Sequence, residues 1–222
     1  MGFWGSILVA CADRPLPELT GVGELADQLV SHATGADGWQ AVQLHRAPAD
    51  WRLPLTGTGD EEALLTKLLA QTGRPVLSAT VLDSDGAQLV GYGPRAGRWS
   101  GWLMLERMVE YIGSPYTDPL NDYDEDDLPE DLDAFWAERY EMACRPLYDL
   151  APPAAGAAPL AVAWAVEAGF APETTAVEKV LNGGAVFAEH QFFELLTVLG
   201  VPALTATRKP PGPAGTSLRP TE

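Results

Sequence analysis

Residues 76–92 read VLSATVLDSDGAQLVGY: two apolar, partly β-branched runs on either side of Asp83–Gly86. A turn built from Asp, Ser, Asp and Gly suits the backbone of a tight hairpin, so Val76–Leu82 and Ala87–Tyr92 are expected to pair antiparallel. A lone hairpin is marginal in water and needs more strands or a helix against it. This segment therefore commits the chain to a fold containing a sheet. Phe3–Ala12 supplies one further strand, ended by the two prolines of DRPLP, which cannot continue a ladder. Trp39–His45 alternates Trp39, Ala41, Gln43 and His45 against Gln40, Val42 and Leu44, the pattern of a strand with one buried face.

Helical signals lie between and after these strands. Leu25, Leu29 and Val30 recur at helical spacing and predict a short helix over Val22–His32. Thr58 and Glu61 make a capping box, Leu64, Leu65, Leu68 and Leu69 an apolar stripe, and Gly73 with Pro75 a stop. A third helix is expected over Trp102–Ile112, ending at Gly113. Four more fall near 129–145, 159–168, 172–182 and 185–199, with APPAAGAAP linking the first two. The fold class is α+β: a small, largely antiparallel sheet covered by helices, followed by a helical C-terminal part. The organisation expected is an α+β domain over 1–113, an acidic loop over 114–128, a helical part over 129–204 packed on the first, and a disordered tail over 205–222.

Hydrophobic residues make up 46% of the chain and seven are Trp, enough for a core. The net charge of −17 repels phosphate backbones and anionic membranes and attracts basic proteins or cations, so neither nucleic acid nor membrane is an expected partner. Cys11 and Cys144 are read as buried free thiols and the protein as cytoplasmic. The opening MGFWGS matches the myristoylation pattern at Gly2 and Ser6, but a buried first strand explains the same residues.

Patterns that would carry chemistry fail one by one. TGVGELA has the G-x-G-x-x-A spacing, yet the proline-bearing segment before it cannot be the strand that a dinucleotide turn follows. GRWSG misses the nucleophile elbow by one position at Ser100. His190 and Glu194 stand four residues apart, but on the face opposite the apolar stripe Phe192, Leu195, Leu196 and Leu199, and so read as a solvated pair. Asp83 and Asp85 are explained by the hairpin turn. No catalytic residue, metal ligand or cofactor is assigned.

One stretch stands out. NDYDEDDLPEDLD, residues 121–133, carries eight carboxylates in its last twelve positions. Against a calcium loop, Asp122, Asp124 and Asp126 fall at positions one, three and five. The sixth position is Asp127 rather than the glycine a sharp turn requires, and the twelfth is Asp133 rather than a bidentate Glu. Helix capping accounts for Asp127, Glu130, Asp131 and Asp133, beside Pro129 in a first turn, with Leu132, Phe135 and Trp136 inward. Asp122, Asp124, Glu125 and Asp126 have no such local use. With Tyr123 among them, they are the candidate partner-binding residues for a basic protein.

MGFWG, DRPL, the Gly38–Trp39 pair, the Asp-Ser-Asp turn, WAVEAGF and FFELLTVLG together resemble uncharacterised actinobacterial proteins of high-GC genomes, over most of residues 1–201. The resemblance implies a cytoplasmic bacterial origin and brings no site residue with it. Eleven Arg against three Lys agree with such a genome. The function expected is a non-enzymatic acidic interaction protein, immunity-type or regulatory, that binds a basic protein. The alternative is a small enzyme or ligand-binding protein in which Arg95 and Arg98, flanking a glycine-rich loop, grip an anion.

Overall fold

The computed structural model describes residues 2–45, 59–109 and 131–207. Among them is one seven-stranded sheet of β1 (Gly5–Cys11), β2 (Leu29–Thr34), β3 (Trp39–His45), β4 (Val76–Leu82), β5 (Gly86–Gly93), β6 (Gly97–Leu103) and β7 (Thr205–Thr207). The order is β6-β5-β4-β1-β3-β2-β7, and each neighbouring pair is antiparallel. Helix α1 (Gly59–Thr72) is inserted between β3 and β4. Helices α2 (Leu132–Leu150), α3 (Ala154–Glu167), α4 (Thr174–Leu181) and α5 (Ala188–Leu199) follow β6. The class is α+β, with a C-terminal helical part, as the element pattern implies.

All seven residues of the central strand β1 are buried. Successive strand side chains point to opposite faces, so full burial demands cover on both. Ile7, Val9 and Cys11 join Trp39, Leu77 and Ala79 under Trp164 of α3 and Phe192 of α5. Leu8 and Ala10 join Val42 and Leu44 under Leu65 and Leu68 of α1 and Leu16 of a 3-10 turn. The single buried face expected for β3 is thus corrected: helices lie on both sides of the sheet. Small residues bring α3 close, since a Cβ on Gly101 of β6 would stand 3.1 Å from that of Ala157. Trp164 fixes the contact by donating Nε1–H to the Val76 carbonyl at 2.9 Å.

Further expectations are revised. The helix over Val22–His32 is a 3-10 turn, Gly23–Gln28, followed by β2, because pairing with β3 overrides the helical spacing of Leu25 and Leu29. Trp102 belongs to β6, not to a helix, and the helical turn starts only at 105, after Met104 at φ 56°. The tail expected from Thr205 begins with strand β7, paired to β2 through His32, Ala33 and Thr34; residues 208–222 lie outside the described chain. Finally, α2 is capped by Asp131, whose side chain accepts from Ala134 N at 3.0 Å, and runs through Pro146 to Leu150. Leu132 is 42% exposed rather than inward, and Phe135 and Trp136 are half-buried against each other. The APPAAGAAP linker shrinks to three residues, since α3 begins at Ala154.

The β4–β5 turn does more than reverse the chain. Asp83 and Ser84 both take positive φ, 50° and 62°, and Asp85 N closes the turn on the Leu82 carbonyl at 2.9 Å, the pattern of a primed hairpin turn. Ser84 then ties three segments together. Its Oγ accepts from Phe3 N at 2.8 Å and donates to Glu189 at 2.8 Å, and its carbonyl accepts from Ala188 N at 2.8 Å. The chain start and the first turn of α5 are thereby fixed to one hairpin. Ser84→Ala leaves the Phe3 amide and the Glu189 carboxylate short of a partner, a loss of about 1–3 kcal/mol. Its thermal midpoint is expected to fall by about 2–12 °C. A midpoint within about 1 °C of the parent would show that the hydroxyl ties nothing.

Candidate functional site

The sheet ends at β6, and there a cavity of about 550 Å³ opens between β6, the helical turn over 105–109, α2 and the loop after α4. Strand β6 positions the last turn of α2: Trp102 donates Nε1–H to the Leu147 carbonyl at 3.0 Å, and Ser100 donates to the Leu150 carbonyl at 3.2 Å. Leu82, Trp102, Met108, Cys144 and Leu147 make the small core beneath this junction. Among the described side chains of α2, Cys144 and Leu147 are buried in it and Leu150 packs against it, all toward the C-terminal end of the helix. Tyr140 and Tyr148 stand one turn to either side of Cys144 on the same helical stripe and line the cavity.

Glu106 and Arg107 line it from the facing turn. Burial, reinforced by Cys144 and the Glu106 carboxylate, pushes both phenols above the ordinary tyrosine range, so they remain neutral hydroxyls at physiological pH. Arg107 is turned to the wall opposite, donating to the carbonyls of Val186 at 3.2 Å and Ala185 at 3.3 Å. That wall is held by Gln191, a buried amide of α5. Its Nε2 donates to the carbonyls of Val180 at 2.7 Å and Gly183 at 2.8 Å, and its Oε1 accepts from Ala185 N at 3.4 Å. None of this was legible beforehand. The tyrosines carry the helical spacing of a surface stripe, and Gln191 sits within an otherwise apolar face of α5.

Arg95 and Arg98 do not converge. Arg95 Nε meets Glu167 of α3 at 3.1 Å on one face of the sheet, while Arg98 Nε meets Glu62 of α1 at 2.8 Å on the other. Burial raises the Glu167 carboxyl, but the amides of Ala96 and Arg95 and the Arg95 guanidinium outweigh it and hold the group below its usual range. Each arginine therefore has a carboxylate of its own, and the structure does not bring the pair together as an anion clamp. The Thr58 half of the expected capping box lies outside the described residues; the Glu61 carboxylate is buried under α1 and accepts from the hydroxyls of Ser78 and Thr80. These contacts bind the start of α1 to β4.

Asp122, Tyr123, Asp124, Glu125 and Asp126 lie outside the described residues, as do the remaining calcium-loop positions before Asp131. Ser100, the near-miss of a nucleophile elbow, sits within the extended run of β6. His190 and Glu194 are solvated, as their helical face requires, and His190 packs edge-on against Phe187 at 5.4 Å. Cys11 and Cys144 are both buried and free; Cys11 Sγ lies 2.7 Å from an Arg74 nitrogen and donates to the Asp37 carbonyl at 3.0 Å. Among the described residues no three His, Cys, Asp or Glu side chains gather into a metal-binding group, and no helix is long and apolar enough to cross a membrane. The chain matches no family model, no curated protein and no solved structure.

Gln191→Leu tests the cavity wall. It keeps the size of the side chain but withdraws the donors from Val180 and Gly183, a loss of about 1–2 kcal/mol. A thermal midpoint lower by about 2–8 °C is expected, with faster amide exchange at Gly183–Ala185. Unchanged exchange in that loop would contradict the role given to the amide.

Proposed function

We propose that this protein is an acidic interaction module that docks a basic protein partner, in an immunity-type or regulatory role. One observation carries the reading. Residues 122–150 hold eleven carboxylates against two arginines, and so contribute nine of the seventeen net negative charges. The part of this stretch that lies in α2 is surface: Asp133, Glu138, Glu141 and Asp149 are exposed. Both arginines are engaged nearby, Arg145 3.7 Å from Glu141 and Arg139 4.9 Å from the centre of the Phe135 ring. Charge of one sign concentrated on an exposed helix face raises the encounter rate with an oppositely charged partner and repels anionic ones.

A solvated helix of this composition needs no partner to be soluble, but its aromatic and apolar content argues for one. Leu132, Tyr140, Met142 and Tyr148 are between 41% and 58% exposed on the same helix. Aromatic anchors among charges of one sign are what a docking surface for a cationic partner requires.

The test uses a labelled lysine–glycine repeat peptide as a generic basic probe. Its association with the full chain is expected to weaken steeply between about 50 and 500 mM salt, as the Debye length falls below roughly 5 Å. Converting Asp122, Asp124, Glu125 and Asp126 to Asn or Gln should slow association several-fold while slightly stabilising the fold through relief of repulsion. Association that ignores both salt and these four charges would contradict the proposal.

A further inference from the structure

The helix that bears the acidic excess also forms one wall of the cavity, and the two features share a chemistry. Tyr140 and Tyr148 project from α2 toward a cavity backed by the indole of Trp102. The indole N–H is spent on the Leu147 carbonyl, which leaves the ring without a free donor. Glu106 lines the same cavity, and its charge acts on both phenols. Neutral aromatic rings beside a carboxylate are the groups that hold an alkylammonium or guanidinium ion, by cation–π attraction supplemented with an ion pair.

Arg107 is the opposing charge, and its placement decides which end of the cavity a cation can use. Its two terminal nitrogens are fastened to the carbonyls of Val186 and Ala185. It therefore leaves the end formed by Tyr140, Tyr148 and Glu106 as the acidic one. The volume of about 550 Å³ falls within the range of ligand pockets, roughly 300–1,000 Å³, and admits one long side chain with room for water. The tyrosines are 41% and 45% exposed, so a side chain arriving from solvent reaches them without displacing the core.

We infer that this cavity seats one lysine or arginine side chain of the basic partner, between Tyr140, Tyr148 and the Glu106 carboxylate. The inference rests on the function proposed above and adds a specific anchor to it: the diffuse charge of residues 122–150 steers the partner, and the cavity fixes its register. Arginine is the better occupant where stacking dominates and lysine where the ion pair does.

Anisotropy titrations of the full chain with lysine–glycine and arginine–glycine repeat peptides, at about 50 mM salt, separate the two levels. Glu106→Gln, and Tyr140→Leu combined with Tyr148→Leu, are each expected to weaken binding about five- to tenfold. Asp27→Asn removes the same single charge from the exposed 3-10 turn before β2, at the far edge of the sheet, and is expected to weaken binding less than about twofold. Tyr140→Phe with Tyr148→Phe keeps the rings and should stay within about twofold of the parent. Thermal midpoints of all variants establish that each is folded. If Glu106→Gln and Asp27→Asn lose affinity equally and the leucine pair loses none, the cavity is not the anchor, although the acidic surface still docks the peptide. If the unmodified chain binds neither peptide, the docking function falls and the anchor falls with it.

Discussion

The burial of β1 on both faces is the constraint from which the rest of the molecule follows. A strand whose seven residues are all buried cannot sit at an edge or on a half-solvated sheet. It requires hydrogen-bonding neighbours on both sides, which β3 and β4 provide, and a layer over each face. Helix α1 and the 3-10 turns cover one face; α3 and α5 cover the other. Alanines at 157, 158 and 161 suit the second layer because a bulkier row could not approach Gly101 so closely.

What is left over after those two layers are filled is α2. It is not needed to bury β1, and it reaches the β6 junction through Cys144 and Leu147, with Tyr140 and Tyr148 beside the cavity there. The cavity at that junction is lined where β6, the helical turn over 105–109 and α2 meet. Met104, with φ at 56°, makes the abrupt change of direction that turns the chain from β6 to Glu106 and Arg107. The fold thus places an acidic helix and an aromatic recess together.

Local pattern disclosed the elements whose period and breakers agree with their tertiary role. The hairpin at Asp83–Gly86, the leucine stripe of α1 and the stop at Gly73, which takes φ 62°, are of this kind. It misdirected where short-range spacing and long-range pairing disagree. Leu25 and Leu29 keep helical spacing, yet β3 recruits Leu29–Thr34 as a strand. Thr205–Thr207 is polar and only three residues long, and becomes a strand because β2 offers a free edge. The Glu61 carboxylate also takes hydroxyl donors from Ser78 and Thr80, almost twenty residues on, a long-range use that its local spacing does not disclose. The cavity was not legible at all: its lining comes from four segments spread over residues 102–184, and no periodicity links Glu106 to Tyr148. The acidic excess was legible from composition, though not the exposure of α2.

The central claim is that a basic partner docks on α2 and enters the recess behind it. Hydrogen exchange of the full chain, with and without the lysine–glycine peptide, maps this directly. Added protection is expected at 104–107, along α2 from 139 to 148, and at 182–184, with α1 and the β1–β3 pair unaffected. Protection spread evenly over the surface, or concentrated on the face covered by α1, would contradict it.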